Sequence, residues 1–193
     1  MAKKVGEKYS AIIEAAVKVF AQYGYHNCQV AKVAKEAGVA DGTIYLYFEN
    51  KEDILISLYR EKMGQYIESL ELDLEKLSRA DERLKKLIKR HLNHLEADPS
   101  LAEVTQIQLR QSDPIIRQGI AEPVTKYFRL IEQIVILGQE QGVFDSGLDY
   151  RLARKMIFGT LDETVTCWVM AGAKKPLAAK GDMIYNLFMR GLS

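Results

Sequence analysis

Apolar positions recur along the chain at spacings of three and four, and no strict apolar-polar alternation runs long enough for a strand. This periodicity predicts an all-α fold of nine to ten helices. The first is expected over about 7–23, where Ile12, Ala16, Val19 and Phe20 share a stripe and Gly24 supplies the left-handed ending. A second is expected over 29–37, with Val30, Val33 and Ala34 inward and Gly38 closing it. A third, over 40–48, is short and polar at its start. Asn50 then caps a long helix reaching about 77, with Asp53 three residues on in a capping-box-like arrangement.

Asp81 is the expected cap of the next helix, which carries Leu84, Leu87, Ile88, Leu92 and Leu95 and stops at Ala97-Asp98-Pro99. Another covers about 101–111, and Asp113-Pro114 marks a fresh start. Pro123 lacks an N–H and crowds the preceding turn, so it must either begin a further helix or kink the existing one, and a break is predicted near Gly119 to Pro123. Helices over about 124–141, 150–171 and 179–191 complete the pattern. The expected division is 1–51 for a helix-turn-helix domain and 52–193 for a larger helical domain.

Charge changes little in this picture, since 27 basic and 26 acidic side chains leave a net charge of +1. Any nucleic-acid surface must therefore be a local patch. Cys28 and Cys167 lie far apart without metal spacing, which points to a reducing compartment. The lysine-bearing first ten residues have no apolar run and are not expected to be a signal peptide. Asp162 and Glu163 interrupt the most apolar helix, so no membrane span is expected, and the protein is read as cytoplasmic.

The segment from Val33 to Leu55, "VAKEAGVADGTIYLYFENKEDIL", carries the most specific chemistry. Two short helices joined through Gly38 have the length of a helix-turn-helix whose second helix enters the major groove. At the start of that reader, Asp41 can accept from cytosine N4, Gly42 lets backbone approach closely, and Thr43 can bind phosphate or touch a thymine methyl. Ile44 and Phe48, four apart, take the core side, leaving Tyr45 to the groove and Tyr47 to flanking phosphates. Lys51 adds its charge at a helix N-terminus, a phosphate position. Lys4, with Lys3 and Lys8, can form an arm.

The run "AAVKVFAQYGYHNCQVAKVAKEAGVADGTIYLYFENKEDIL" resembles the TetR family of bacterial repressors over about residues 7–60. There a helix, a Gly-Tyr corner, a helix, "AGV", a Gly-Thr reader, "Tyr-x-Tyr-Phe" and a Lys-Glu-Asp helix start occur in this order; the family-type region extends over about 6–66. Gln29 and Ala40 stand where the family commonly has Thr or Ser, which leaves the cap and phosphate contacts at those two positions open. The resemblance implies a homodimer on a pseudo-palindromic operator in double-stranded DNA. "DGTIYLYFENKEDILISLYREKMGQYIE", "LRQSDP" and "LARKMIFGTLDETVTCWVM" further resemble the FadR-type regulators of fatty-acid degradation in Gram-positive bacteria. That likeness implies a repressor without a cofactor, released from DNA by long-chain acyl-CoA.

An acyl chain needs an apolar tunnel, and the candidate ligand residues are Leu101, Val104, Ile107, Gln108, Tyr127, Ile131, Ile134, Met156, Thr160 and Trp168. Arg110 is the first candidate for the CoA head, ahead of Arg90, Arg117 and Lys126. Ile157, Leu161, Met183 and Leu187 are assigned to the dimer interface. An alternative is a repressor of efflux genes sensing lipophilic cationic drugs, with Asp162 or Glu163 attracting the cation against Trp168 and Tyr127. His91 and His94, three apart, are read as a solvated or rim-exposed pair, and no metal is expected. No nucleophile-base motif or glycine-rich phosphate loop supports an enzyme.

Overall fold

A computed structural model describes residues 6–108 and 113–193. Its helices are α1 (Glu7–Tyr23), α2 (Val30–Glu36), α3 (Asp41–Ile44), α4 (Lys51–Glu75), α5 (Ala80–Ala97), α6 (Pro99–Glu103), α7 (Pro114–Glu140), α8 (Tyr150–Met170) and α9 (Gly181–Leu192). A π-turn over Val104–Gln108 continues α6, and a short 3₁₀ turn over Ala178–Lys180 precedes α9. No strand occurs among the described residues.

Two compact units divide the chain: unit one is Met1–Met63 with Ser100–Ala121, and unit two is Gly64–Pro99 with Glu122–Ser193. In unit one α1 packs on α2, on the π-turn and, through α2, on the reader. Its stripe is as expected, with Ile12, Ala16, Val19 and Phe20 all buried. Val30, by contrast, is only half-buried. Gly24 and Gly38 both take positive φ, 73° and 68°, where a side chain would be strained. In unit two α5 is central, packed by α8, α9 and the 3₁₀ turn.

Three predicted boundaries move. The third helix ends at Ile44 rather than Phe48, because the Leu46 and Tyr47 amides bond three residues back to Thr43 and Ile44 and tighten the chain into turns. The helix expected over 101–111 passes into the π-turn, and its last residues lie outside the described residues. A 3₁₀ turn separates Ala178–Lys180 from α9.

Asp81 does not cap α5; its carboxylate meets Arg79 twice at 3.0 Å, which holds its pKa below the ordinary range. Gln141, sixty-one residues away, performs that service, its Oε1 accepting from the Ala80 amide at 2.9 Å. Its Nε2 donates to the Ser78 carbonyl at 2.7 Å.

Pro123 produces no break, and α7 runs through it. The bond proline cannot make is the one to the carbonyl four residues back, that of Gly119. Arg60 Nε donates to that oxygen at 2.5 Å, so the helix loses one internal bond without leaving its carbonyl orphaned.

Candidate functional site

The reader in unit one is held by aromatic packing rather than by its own four-residue helix. Tyr9 of α1 stacks on Phe48, with ring centroids 5.2 Å apart, and lies 6.4 Å from the Tyr47 ring. Ile44 and Phe48 are buried, which fixes the rotation of the turn and sends the intervening residues outward. Asp41, Gly42 and Tyr45 are exposed, while Thr43 and Tyr47 are half-buried. Tyr45 is 60% exposed and Leu46 68%. Leu46 was not singled out by sequence reasoning, although an apolar residue off the core spacing was the signal available.

Gln29 and Ala40 occupy the N-cap positions of α2 and α3 in extended conformation, and neither side chain makes a capping bond. Both are exposed. Lys4 lies outside the described residues, and Lys8 is exposed on α1.

Lys51 is placed differently from its sequence assignment. Its Nζ donates to the carbonyls of Tyr25, His26 and Cys28 at 3.0, 3.1 and 3.2 Å. Those three bonds use all three ammonium protons. The same atom sits 4.7 Å from the Tyr25 ring centre. Lys51 thus clamps the α1–α2 corner to the start of α4. Asn50 Oδ1 accepts from the Asp53 amide at 2.7 Å, the predicted cap. Asp53 reaches back to the Glu49 amide at 3.1 Å, one residue earlier than a capping box requires.

Among the ligand candidates, Leu101 and Val104 are buried in unit one, whereas Tyr127, Ile131, Ile134 and Trp168 are buried in unit two. The Trp168 indole N–H donates to the Lys175 carbonyl at 2.6 Å. Met156 is 39% exposed, on the same helical face as Leu152, and Thr160 donates to the Met156 carbonyl at 2.8 Å. Arg110 lies outside the described residues, as do the side chains of Ile107 and Gln108. Of the other cations, Lys126 pairs with Glu71 at 2.8 Å and Arg90 with Asp73 at 3.4 Å. Glu71, Leu74, Glu75, Arg83, Leu130, Gln133 and Ile134 line a cavity of about 160 Å³, well short of the roughly 300 Å³ at which ligand pockets begin.

The structure corrects the reading of the histidines. His91 is buried, facing into unit two, with its Nδ1 2.8 Å from the Tyr127 hydroxyl. Its ring stacks 5.8 Å from that of Tyr127 and lies edge-on 6.5 Å from Tyr66, which in turn stacks 4.6 Å from His94. Burial, reinforced by His94, lowers the His91 pKa from 6.5 to about 4, so the ring is neutral. Burial also pushes the Tyr66 phenol up, with the Tyr127 hydroxyl and Arg90 opposing. No cluster of three metal-ligating side chains occurs among the described residues.

Ile157 and Leu161, assigned to the dimer interface, are fully buried within their own protomer. Met183 and Leu187 are exposed on α9, as are Leu152 and Met170 on α8. Glu163 is exposed and accepts from the Cys167 thiol at 3.2 Å, so that carboxylate does not face the buried Trp168 and Tyr127 as the drug-sensing alternative requires. None of the described helices is long and apolar enough to cross a membrane.

Similarity to known proteins covers both units. Residues 12–58 match the family described as bacterial regulatory proteins, tetR family, and residues 59–191 match the C-terminal region of YsiA-like proteins. The fatty acid metabolism regulator protein of Bacillus subtilis is 51% identical over 190 residues, 98% of each chain. The crystal structure of FadR from Bacillus subtilis in complex with stearoyl-CoA superposes with a TM-score of 0.92 at 51% identity, covering 96% of this chain and 100% of that one. FadR from Bacillus halodurans, a fatty acid degradation regulator, gives a TM-score of 0.91 at 49% identity, again over 96% and 100%. With a reader turn held outward by buried aromatics and a matching second unit along the rest of its length, this chain belongs to the TetR family of bacterial regulatory proteins.

Proposed function

We propose that the chain represses fatty-acid degradation genes, binding a pseudo-palindromic operator as a homodimer and leaving it when a long-chain acyl-CoA is bound. The observation that carries this is kinship along nearly the whole of both chains with a regulator crystallised with stearoyl-CoA. At such identity the packing of unit two, and with it the ligand class, is expected to be shared.

In this reading Asp41, Gly42, Thr43 and Tyr45 face the major groove, and Tyr47 faces a flanking phosphate. Tyr127, Ile131, Ile134 and Trp168 part to admit the acyl chain. The exposed apolar residues of α8 and α9, including Met183 and Leu187, support a dimer, since one reader alone binds weakly while two can span half-sites about 34–36 Å apart. Acyl-CoA drives release if it prefers a dimer whose readers no longer match that spacing. The place of action is the cytoplasm, where operator and acyl-CoA meet.

Thermal unfolding against acyl-CoAs of increasing length, with free CoA and a lipophilic cation alongside, tests this reading. A ligand that binds only the folded chain raises the midpoint by mass action, and each buried CH₂ adds about 0.8 kcal/mol. The expected shift grows with chain length and is absent for free CoA. A shift with the cation alone, or with none of the ligands, overturns the acyl-CoA assignment.

A further inference from the structure

We infer that His91 Nε2 is the hydrogen-bond donor that receives the thioester carbonyl oxygen of the acyl-CoA, fixing where along unit two the acyl chain begins. The inference rests on the acyl-CoA reading above and deepens it.

His91 is 7% exposed, yet its Nε2 is buried with no hydrogen-bond partner among the described residues. Leaving such a group unpaired is destabilising, and an apolar side chain of similar size would avoid that cost. The other nitrogen is engaged, 2.8 Å from the Tyr127 hydroxyl. When that hydroxyl donates to Nδ1, the ring proton must reside on Nε2, which makes the orphaned atom a donor.

The surroundings select what such a donor can take. α4, α5, α7 and α8 each contribute an aromatic ring to this cluster: Tyr66, His91, Tyr127 and Phe158. Aromatic walls suit a hydrocarbon chain. The ring is held neutral by burial, so it offers no charge to a phosphate or carboxylate and favours a neutral acceptor. Beyond its CoA moiety, an acyl-CoA carries one such acceptor, the thioester oxygen; the rest of the chain is CH₂ and CH₃. Anchoring that oxygen at His91 sets a zero point from which chain length is counted, so the remaining apolar depth of unit two limits the longest chain accepted.

The test uses the full-length protein with stearoyl-CoA and its S-octadecyl thioether, which keeps the chain and the CoA but lacks the carbonyl. Titration calorimetry reads both affinities for the wild-type protein and for His91→Leu and His91→Gln. A neutral hydrogen bond corresponds to about tenfold in affinity, so the wild-type protein should bind the thioester about tenfold more tightly than the thioether. His91→Leu should lose that preference while binding the thioether as before, and His91→Gln, whose amide can donate from a similar place, should recover most of it.

Equal affinity of the wild-type protein for the two ligands overturns the inference and leaves the acyl-CoA reading standing. Equal weakening of both ligands by His91→Leu also overturns it, reducing His91 to a packing role. A wild-type protein that binds neither ligand defeats the acyl-CoA reading itself. Should His91→Leu fail to unfold cooperatively, Tyr127→Phe takes its place: without the hydroxyl that sets the tautomer, the preference should narrow, and an unchanged gap counts against the inference.

Discussion

Tyr45 and Tyr127 place the same side chain in opposite circumstances, and the contrast separates the two units. Tyr45 sits on the reader turn of unit one with 60% of its surface exposed, while Tyr127 is 1% exposed in unit two. Unit one turns Tyr45 outward beside a small core that aims it, whereas unit two buries Tyr127 and His91 among residues that also carry the packing. A function at the surface can be removed without unfolding the protein; one in the core cannot be separated so cleanly from stability.

The largest expected effect follows from this contrast. Tyr127→Ala should cost about 3–5 kcal/mol of stability, as truncation of a fully buried aromatic does. Tyr45→Ala should leave the unfolding midpoint within about 0.5 kcal/mol of wild type and weaken operator binding about tenfold to a hundredfold. Denaturant titration and fluorescence anisotropy on labelled operator read the two quantities. A large stability loss from Tyr45→Ala would mean that the reader tyrosine belongs to the core and that the two units do not differ in this way.

The next effect, up to about 3 kcal/mol, concerns pH. The His91 pKa is depressed from 6.5 to about 4 in the folded chain, so between those values the unfolded state binds the additional proton. Stability is therefore expected to be intact above pH 6.5 and to fall as pH drops from 6.5 towards 4. Asp73, Asp149 and Asp182 have lowered pKa values and contribute only at more acid pH. Subtracting the profile of His91→Phe isolates the histidine. Identical slopes for the two proteins between pH 6.5 and 5 would mean that the ring is hydrated or paired in solution.

The same contrast explains what could be read from sequence. The reader turn was legible because its chemistry is local: Gly38 needs positive φ, Ile44 and Phe48 stand four apart, and Asn50 precedes a helix start. The failures came from contacts distant along the chain. Arg60 satisfies the carbonyl that Pro123 abandons, and Gln141 replaces Asp81 at the start of α5; neither partnership leaves a trace in local spacing. Family resemblance supplied the ligand class, but the residues of unit two did not, because Ile131 or Ile134 as wall and as core have the same pattern. His91 was misread since two histidines three apart look alike whether they face water or Tyr127.

Lys51 draws the same distinction within unit one, with an expected effect of about 2 kcal/mol. As a phosphate ligand it would lower the salt dependence of operator binding by about one unit of slope when removed, without touching stability. As the clamp on the Tyr25, His26 and Cys28 carbonyls it should do the reverse. Lys51→Met is expected to lower stability by about 2 kcal/mol, the scale of charged hydrogen bonds, and to keep the salt slope. Amide exchange should quicken at the α1–α2 corner. A reduced slope with unchanged stability would return Lys51 to the DNA-facing set.

Asn50 gives the smallest effect and the most local one. Its Oδ1 accepts from the Asp53 amide at 2.7 Å, pairing one donor that the first turn of α4 otherwise leaves open. Asn50→Ala is expected to cost about 1 kcal/mol, whereas Asn50→Ser and Asn50→Asp, which retain an acceptor, should cost a few tenths. Because α4 begins only four residues after Tyr47, fraying of this turn should loosen the reader before it affects unit two. Hydrogen exchange would register that as faster opening at residues 45–54, with α8 and α9 unchanged. Were α8 and α9 to open faster by the same factor, the two units would unfold as one cooperative body, and a cap in the reader would stabilise the sensing core as much as the DNA-binding turn.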